Sequence, residues 1–263
     1  MRELLGLVSY RGTIRERNVE PFLRMLRRLR TFRRLKGVLL EISSGGGEVV
    51  ASEDLRLAVQ RLNERVPVFA SIGAVGASGA YLASLGARKI FAYPDSQVGS
   101  IGVIYPHLAV RELVRRLGVS LELIHAGVHK DAYQGYRPLT EVERAKMQAL
   151  VEEDYERFVA VVAEARHRPV EEIRALATGE VWSGSRALSL GLVDALGDRE
   201  VALEALARLT GVSVRRAVRM EPPRPFLERL VSSGAGAFAS GVSGRLHDMV
   251  EETLLDLGPS LRR

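Results

Sequence analysis

The chain has 263 residues, of which 46% are apolar, enough for one large domain or two small ones with a sizeable core. Cysteine is absent, which excludes disulfides and thiolate metal sites, and the five histidines lack the HExxH spacing of a common zinc site. The formal charge is +6, but the 38 basic and 32 acidic residues are mostly interspersed without an aromatic–basic motif. We therefore expect no metal, no cofactor and no nucleic-acid partner.

Long apolar segments are also missing from the sequence. Arg2, Glu3 and Arg11 interrupt the N-terminal segment, so its apolar run is too short for a signal peptide or a membrane span. No other window reaches the roughly 18 uninterrupted apolar residues that a spanning helix needs. We expect a soluble cytoplasmic protein without a signal peptide or transmembrane helix, and leave peripheral contact with a membrane open.

Short apolar strands alternate with amphipathic helices along the first 220 residues. The predicted strands cover residues 4–10, 37–43, 67–72, 89–93, 97–105 and 119–126. The predicted helices cover residues 18–35, 48–63, 108–117, 140–167, 169–177, 185–196 and 201–210, with one more beginning near Ser78. Thr140 and Glu143 form a capping box at the start of the longest helix.

This alternation predicts an α/β fold with a parallel sheet. The order EPPRP at residues 221–225 marks a boundary. We therefore expect one domain over residues 1–220 and a tail over residues 221–263, either helical or flexible.

A serine surrounded by small residues, Ser78 in IGAVGASGAY, follows one of the predicted strands. A serine at a strand-to-helix corner has helix N–H groups beside it, and the following N–H can point at an oxyanion. The pattern is not the G-x-S-x-G elbow, because Ala80 stands at its last position. Ser78 is therefore either a nucleophile or simply the N-cap of a tightly packed helix.

A second glycine cluster, residues 45–47, follows the preceding strand. Parallel strands place their carboxyl ends at one edge of a sheet, so this cluster should meet Ser78 there. It could lend an oxyanion N–H or bind phosphate, although the G-x-x-x-x-G-K-[ST] arrangement is absent.

A serine nucleophile needs a base within reach. Lysine can serve when burial lowers its pKa, whereas arginine stays charged. Lys130 is one of only four lysines and follows a predicted strand that ends near the same sheet edge. Two alternatives stay open. Lys130 could be an ordinary solvated lysine of a loop, or a histidine such as the neighbouring His129 could be the base.

Five stretches taken together resemble the signal peptide peptidase A family of serine peptidases, over residues 3 to 215. They are EISSGGGEVVAS, PVFASIGAVGASGAYLAS, YPDSQVGSIGVI, HAGVHKDAYQGYRPLTEVERAKMQALVEEDYERFVAVVAEAR and ATGEVWSGSRALSLGLVDALGD. The resemblance implies a ClpP/crotonase-like spiral of β-β-α units with a parallel sheet and a helical C-terminal region. It also implies a serine endopeptidase for short apolar peptides such as cleaved signal peptides.

The resemblance also implies roles for individual residues. Ser78 matches the nucleophile and Lys130 the general base of a Ser–Lys dyad, and a glycine of the pair Gly46 and Gly47 matches the oxyanion hole together with Gly79. Family members form rings, and in the short single-domain type the lysine comes from the neighbouring protomer. A homo-oligomeric ring with a shared active site is therefore expected.

The sequence departs from the family pattern at two points, and two other functions stay open. Gly45 stands where the family usually has proline, and no N-terminal membrane anchor is found. Ser100, a rival hydroxyl in VGSIGV, matches a structural segment of the family.

A crotonase-like acyl-CoA enzyme would share the fold and the oxyanion glycines but would use Glu or Asp, and an inactive scaffold of the same fold is the other alternative.

Overall fold

The computed structural model describes residues 2–222. Its strands are β1 (Leu4–Arg11), β2 (Leu35–Ser44), β3 (Val68–Ala77), β4 (Lys89–Ala92), β5 (Gln97–Gly99), β6 (Val181–Ser183), β7 (Ala195–Leu196) and β8 (Ala217–Arg219). Its helices are α1 (Glu16–Leu29), α2 (Val49–Asn63), α3 (Gly79–Ser84), α4 (Arg111–Arg116), α5 (Glu141–Arg166), α6 (Val170–Leu176), α7 (Gly184–Ser189) and α8 (Arg199–Thr210).

The strands form one sheet in the order β6-β5-β3-β2-β1-β8, and β4 pairs with both β3 and β7. Neighbouring strands run parallel, except that β5 and β6 are antiparallel. The predicted α/β class with a parallel sheet is therefore confirmed.

The long strands are buried because helices cover both faces of the sheet. On one face, apolar side chains of α1 and α2, such as Phe22 and Leu55, pack against β-strand residues such as Val38. On the other face, Leu206 of α8 packs over a row that includes Leu39 and Phe69. This burial on both faces explains why β2 and β3 appear in the sequence as nearly continuous apolar runs.

Several predicted elements differ from the observed ones. The strand predicted for residues 119–126 is not a strand, because no neighbouring strand among the described residues pairs with it. The helix predicted for residues 185–196 is wrong in its second half, where β7 instead pairs with β4. The strand predicted over 97–105 is limited to β5, and the short strands β6 and β8 were not predicted.

Residues 104–139 form a segment that we call the arm, and it contrasts with the rest of the structure. Ala132 is its only fully buried residue. Large apolar side chains of the arm are exposed, including Ile124 at 95% and Ile104 at 87%.

None of the helices within residues 2–222 is both long and apolar enough to cross a membrane. The tail predicted for residues 221–263 lies outside the described residues, apart from its first two positions.

Candidate active site

Ser78 lies at the corner where β3 ends and α3 begins. Its φ is 52°, a left-handed backbone conformation that costs a non-glycine residue about 1–3 kcal/mol. Two backbone hydrogen bonds hold the corner: the N–H of Ser78 donates to the carbonyl of Gly99 at 2.7 Å, and the N–H of Leu82 donates to the carbonyl of Ser78 at 3.0 Å. A strained serine between a strand and a helix is a known way to present a nucleophilic hydroxyl.

The hydroxyl of Ser78 is not used to cap the helix. Ser78 occupies the N-cap position of α3, but its side chain accepts no hydrogen bond from the first turn. Within residues 2–222, Ser78 Oγ has no hydrogen-bond partner at all. The interpretation of Ser78 as a structural cap is therefore not supported.

The glycine turn after β2 packs directly against this corner. A methyl group on Gly46, whose φ is +95°, would lie 2.8 Å from Ser78 Cβ and 2.7 Å from the nitrogen of Gly79. The turn reaches this position because β2 and β3 are adjacent parallel strands, with Ser44 opposite Gly76. The structure thus brings together the two glycine clusters that the sequence placed at one sheet edge.

Two backbone N–H groups at the corner are available to a ligand. In the described part of the chain, the N–H groups of Gly47 and Gly79 donate no hydrogen bond, whereas the N–H of Gly46 donates to Ser44 Oγ at 3.0 Å. The two free donors are close, because a Cβ atom on Gly79 would lie 3.4 Å from the nitrogen of Gly47. Paired N–H groups beside a serine hydroxyl have the composition of an oxyanion hole.

Ser78 opens into a cleft of about 580 Å³. One wall comes from the glycine turn and α2, a second from residues 100–104 after β5, and a third from α5 and residues 177–179. The apolar lining side chains are Val49, Val50, Leu82, Val103, Ile104, Phe158, Val161 and Ala177. This size and apolar character fit several side chains of an extended peptide.

Charged groups at the cleft are mostly paired. Glu53 binds Arg56 through both carboxylate oxygens, at 2.6 and 2.7 Å. Asp154 accepts a hydrogen bond from the hydroxyl of Tyr105 at 2.9 Å, which raises the pKa of Tyr105 above its usual value. Asp54 also lines the cleft and is exposed.

Ser100 also lines the cleft and has a φ of 49°. Its N–H donates to the carbonyl of Glu180 at 2.7 Å, across the antiparallel ribbon of β5 and β6. Ser100 is therefore another hydroxyl on the cleft wall, as the sequence allowed, and Ser52, which also lines the cleft, donates its hydroxyl to the carbonyl of Glu48 at 2.8 Å.

Within the described residues, the cleft is lined by neither lysine nor histidine. Lys130 lies in the arm, is exposed, and has no side-chain hydrogen bond or ion pair among residues 2–222. His129 is not placed to act as the base for Ser78 in the same copy, because its ring contacts Glu143 at 3.5 Å and the Lys146 ammonium at 2.8 Å. One copy of the chain therefore does not bring Lys130 to Ser78.

Sequence reasoning missed several residues that shape the site. Asp154, Phe158 and Val161 recur at helical spacing on one face of α5, a signal that could have placed this helix at a cleft. Trp182 packs on the backbone that holds Ser78: a methyl group on Gly99 would lie 2.9 Å from the indole ring. No sequence pattern indicates that contact.

The described residues contain no candidate metal site built from acidic and histidine side chains. No group of three or more of them lies close enough together to hold a metal ion.

Comparison with known proteins relates this fold and site to peptidases. The sequence profile of peptidase family S49 matches residues 60–213. A putative protease of Synechocystis is 32% identical over 231 residues, which is 87% of this chain and 83% of the relative. A putative protease of Methanocaldococcus jannaschii is 41% identical over 68% of this chain, and a putative signal peptide peptidase SppA of Enterococcus faecium is 34% identical over 73%. The chain spans 58% and 56% of the length of these last two relatives.

Two solved structures share the fold at low sequence identity. A membrane-bound stomatin-specific protease has a TM-score of 0.54 at 15% identity, over 85% of this chain and all of that one. A ClpP1 from Listeria monocytogenes has a TM-score of 0.52 at 18% identity, over 74% of this chain and 93% of that one. These likenesses confirm the predicted ClpP-like fold.

The fold and the family match together define the class, a member of a peptidase family with a ClpP-like fold. The chain belongs to peptidase family S49. The sequence-based recognition of the signal peptide peptidase A family is confirmed, and this membership argues against the crotonase-like acyl-CoA alternative.

Proposed function

We propose that this chain is a serine endopeptidase that cleaves short apolar peptides, such as signal peptides already released from their proteins. The observation that carries the proposal is the position of Ser78: its hydroxyl caps no helix, and it lies at the corner where, within residues 2–222, the N–H groups of Gly47 and Gly79 donate no hydrogen bond. The apolar cleft and the printed name of the Enterococcus faecium relative support the substrate class.

The reaction follows from this arrangement. A base removes the proton of Ser78 Oγ, and the oxygen attacks the scissile carbonyl of the bound peptide. The carbonyl oxygen becomes an oxyanion that accepts hydrogen bonds from Gly47 and Gly79, while Gly46 shapes the turn that brings them together. The conjugate acid of the base protonates the leaving amine, and water then hydrolyses the acyl-enzyme.

We assign the general base to Lys130 of a neighbouring copy of the chain. Within one copy the cleft has no lysine or histidine in the described residues, whereas Lys130 is exposed with an unpaired ammonium. Insertion into the apolar cleft of another copy would desolvate the ammonium and favour the neutral form that a base requires.

The arm is the surface that would join the copies. It carries Lys130 together with many exposed apolar side chains, and large exposed apolar patches mark interaction surfaces. The most exposed of these residues are Ile104, Leu108, Leu117, Ile124 and Val128. A head-to-tail contact of this kind closes into a ring when the rotation between copies permits.

The first experiment measures hydrolysis of a fluorogenic apolar peptide by wild type, Ser78→Ala and Lys130→Met, with Lys89→Met, an exposed lysine of β4, as the matched control. We expect both site variants to lose at least about 10³-fold in kcat, and Lys89→Met to remain near wild type. Full activity of Ser78→Ala would refute the assignment of Ser78 as the nucleophile, and full activity of Lys130→Met would refute the assignment of Lys130 as the base. An inactive wild type would favour the scaffold alternative.

A mixing experiment tests whether the site is shared between copies. Ser78→Ala and Lys130→Met chains are unfolded together and refolded as a mixture. If each site combines Ser78 of one copy with Lys130 of the next, equimolar mixing should restore about a quarter of wild-type activity. A mixture as inactive as its components would contradict a base that comes from a neighbour.

A further inference from the structure

The loop that holds Lys130 is fixed through the residues on either side of it. His129 contacts Glu143 and Lys146, and the carboxylate of Asp131 accepts hydrogen bonds from Arg137 at 2.8 and 2.9 Å. The Lys130 side chain itself takes no part in these contacts. Such an arrangement holds the backbone of the loop while its central side chain extends outward.

Arg137 is the centre of this network. Its guanidinium binds Asp131 on one side, and on the other it donates to both oxygens of Glu143 at 2.8 Å each. Two bidentate contacts use the planar fork of arginine, which lysine cannot reproduce. Arg137 thereby joins the Lys130 loop to the helix that carries Glu143.

Glu143 is held in place independently of Arg137. It is only 2% exposed, and it is the one fully buried charged residue in the described part of the chain. Its carboxylate accepts the N–H of Thr140 at 2.9 Å and so completes the capping box at the start of α5. Arg137 and these bonds keep the pKa of Glu143 well below its usual range, so the carboxylate stays charged.

The helix thus anchored also forms part of the cleft. α5 begins at this network, and farther along it contributes Asp154, Tyr155 and Phe158 to the cleft wall. The Lys130 loop is therefore fixed to a rigid element that reaches the substrate cleft of its own copy.

We propose that Arg137 is a positioning residue for the peptidase reaction: by holding Asp131 against Glu143, it fixes the direction in which Lys130 is presented to the neighbouring cleft. This inference rests on the proposed function. Arg137 contacts neither substrate nor the reacting atoms and acts through the Lys130 loop. A displacement of the base by about 1 Å is sufficient to lower a rate by about 100-fold.

Two variants test the proposal, because removal of Arg137 alone leaves a buried carboxylate unpaired and could disturb folding. Arg137→Gln removes the guanidinium that pairs with both Asp131 and Glu143. Asp131→Asn weakens the link to the Lys130 loop but keeps the Arg137–Glu143 pair. Arg174→Gln is the matched control, since Arg174 also bridges two carboxylates, Glu156 and Glu171, on α5 and α6.

We expect kcat to fall about 100-fold in Arg137→Gln and about 10-fold in Asp131→Asn, with KM within about twofold of wild type. The rate at which a fluorophosphonate phosphonylates Ser78, with loss of fluoride, should fall in parallel, because that step needs only the nucleophile and its base. Arg174→Gln should match wild type in both measurements. Sedimentation and thermal unfolding establish whether the variants assemble and fold as wild type does.

The double variant Arg137→Gln/Lys130→Met separates positioning from general stability. If Arg137 acts through Lys130, the Arg137 change should add no further loss once Lys130 is absent. Additive losses, unchanged kcat in both single variants, or losses explained by failed assembly would each overturn the proposal. Full activity of Lys130→Met alone would instead refute the proposed base, a result distinguishable from failure of the Arg137 assignment.

Discussion

The sheet around Ser78 and the arm around Lys130 are built on different physical principles. The Ser78 corner is held by burial and backbone hydrogen bonds, and Tyr81 in the next helical turn is fully buried with its hydroxyl donating to the carbonyl of Leu192 at 2.8 Å. In the arm only Ala132 is fully buried, and the ion pairs of Arg137 with Asp131 and Glu143 link it to α5. In the proposed reaction, Ser78 must keep a strained backbone and therefore needs packed support, whereas the proposed entry of Lys130 into another copy needs a rigidly held loop and an exposed apolar surface.

The largest contrast we expect on the sheet side is between Ser78 and Ser100, two of the serines that line the cleft. Ser78→Ala should lower kcat by at least about 10³-fold, whereas Ser100→Ala should lower it by less than about tenfold, because Ser78 directly precedes Gly79 and packs against Gly46, next to the N–H groups of Gly47 and Gly79. Fluorophosphonate labelling followed by peptide mass spectrometry identifies the reacting residue. Label on Ser100 would reverse the assignment.

A pair of glycine variants tests how closely the turn must approach Ser78. Gly46→Ala should lower kcat by about 100-fold, because its methyl group would force Ser78 and Gly79 apart. Its positive φ should also reduce the free energy of unfolding by about 1–2 kcal/mol. Gly45→Ala is the control, since its methyl group would meet nothing within 4 Å. Equal kinetics for the two variants would show that the close approach is unimportant.

On the arm side, a charged substitution should weaken assembly without unfolding the sheet. Ile124→Asp replaces a side chain that is 95% exposed in one copy, and we expect the dissociation constant between copies to rise about 10- to 100-fold. Leu209→Asp on α8, 48% exposed and outside the arm, should leave it unchanged. Sedimentation velocity over a concentration series measures both. Normal assembly of Ile124→Asp would argue that this part of the arm is not an interface.

The smallest effect should come from Trp182. Its indole N–H is buried and finds no hydrogen-bond partner among residues 2–222, a situation that costs about 1–3 kcal/mol. Trp182→Phe removes this donor and some packing together, so the free energy of unfolding should change by less than about 1 kcal/mol. Trp182→Ala should cost clearly more, about 3 kcal/mol. Urea unfolding followed by circular dichroism checks both, and a large loss in Trp182→Phe would indicate an undetected partner for the N–H.

The sequence predicted the sheet side better than the arm. Long apolar runs identified β1, β2 and β3, and the Thr140–Glu143 capping box marked the start of α5 correctly. Adjacent parallel strands also placed the glycine turn beside Ser78. These features depend on local pattern and on general rules of α/β topology, so one sequence is sufficient for them.

Other features depend on contacts that no local pattern records. Residues 119–126 alternate like a strand, but one copy offers them no pairing partner within the described chain. The N–H of Ser78, a residue with a positive φ, is bound by the carbonyl of Gly99, twenty-one residues away. The bond between Arg137 and buried Glu143 likewise appears in the sequence only as two charges in a charged segment.

Helix α5 sets the spacing between three parts of the molecule. Its 26 residues rise about 1.5 Å each, so the helix measures about 39 Å. Its first turn holds the Lys130 loop, its middle lines the cleft, and Arg166 at its end binds Asp194 at 3.0 Å. Deleting one residue between the first turn and the cleft would rotate one end of the helix by about 100° relative to the other. The proposed function therefore depends on the relative rotation of the two ends of α5 as well as on its length.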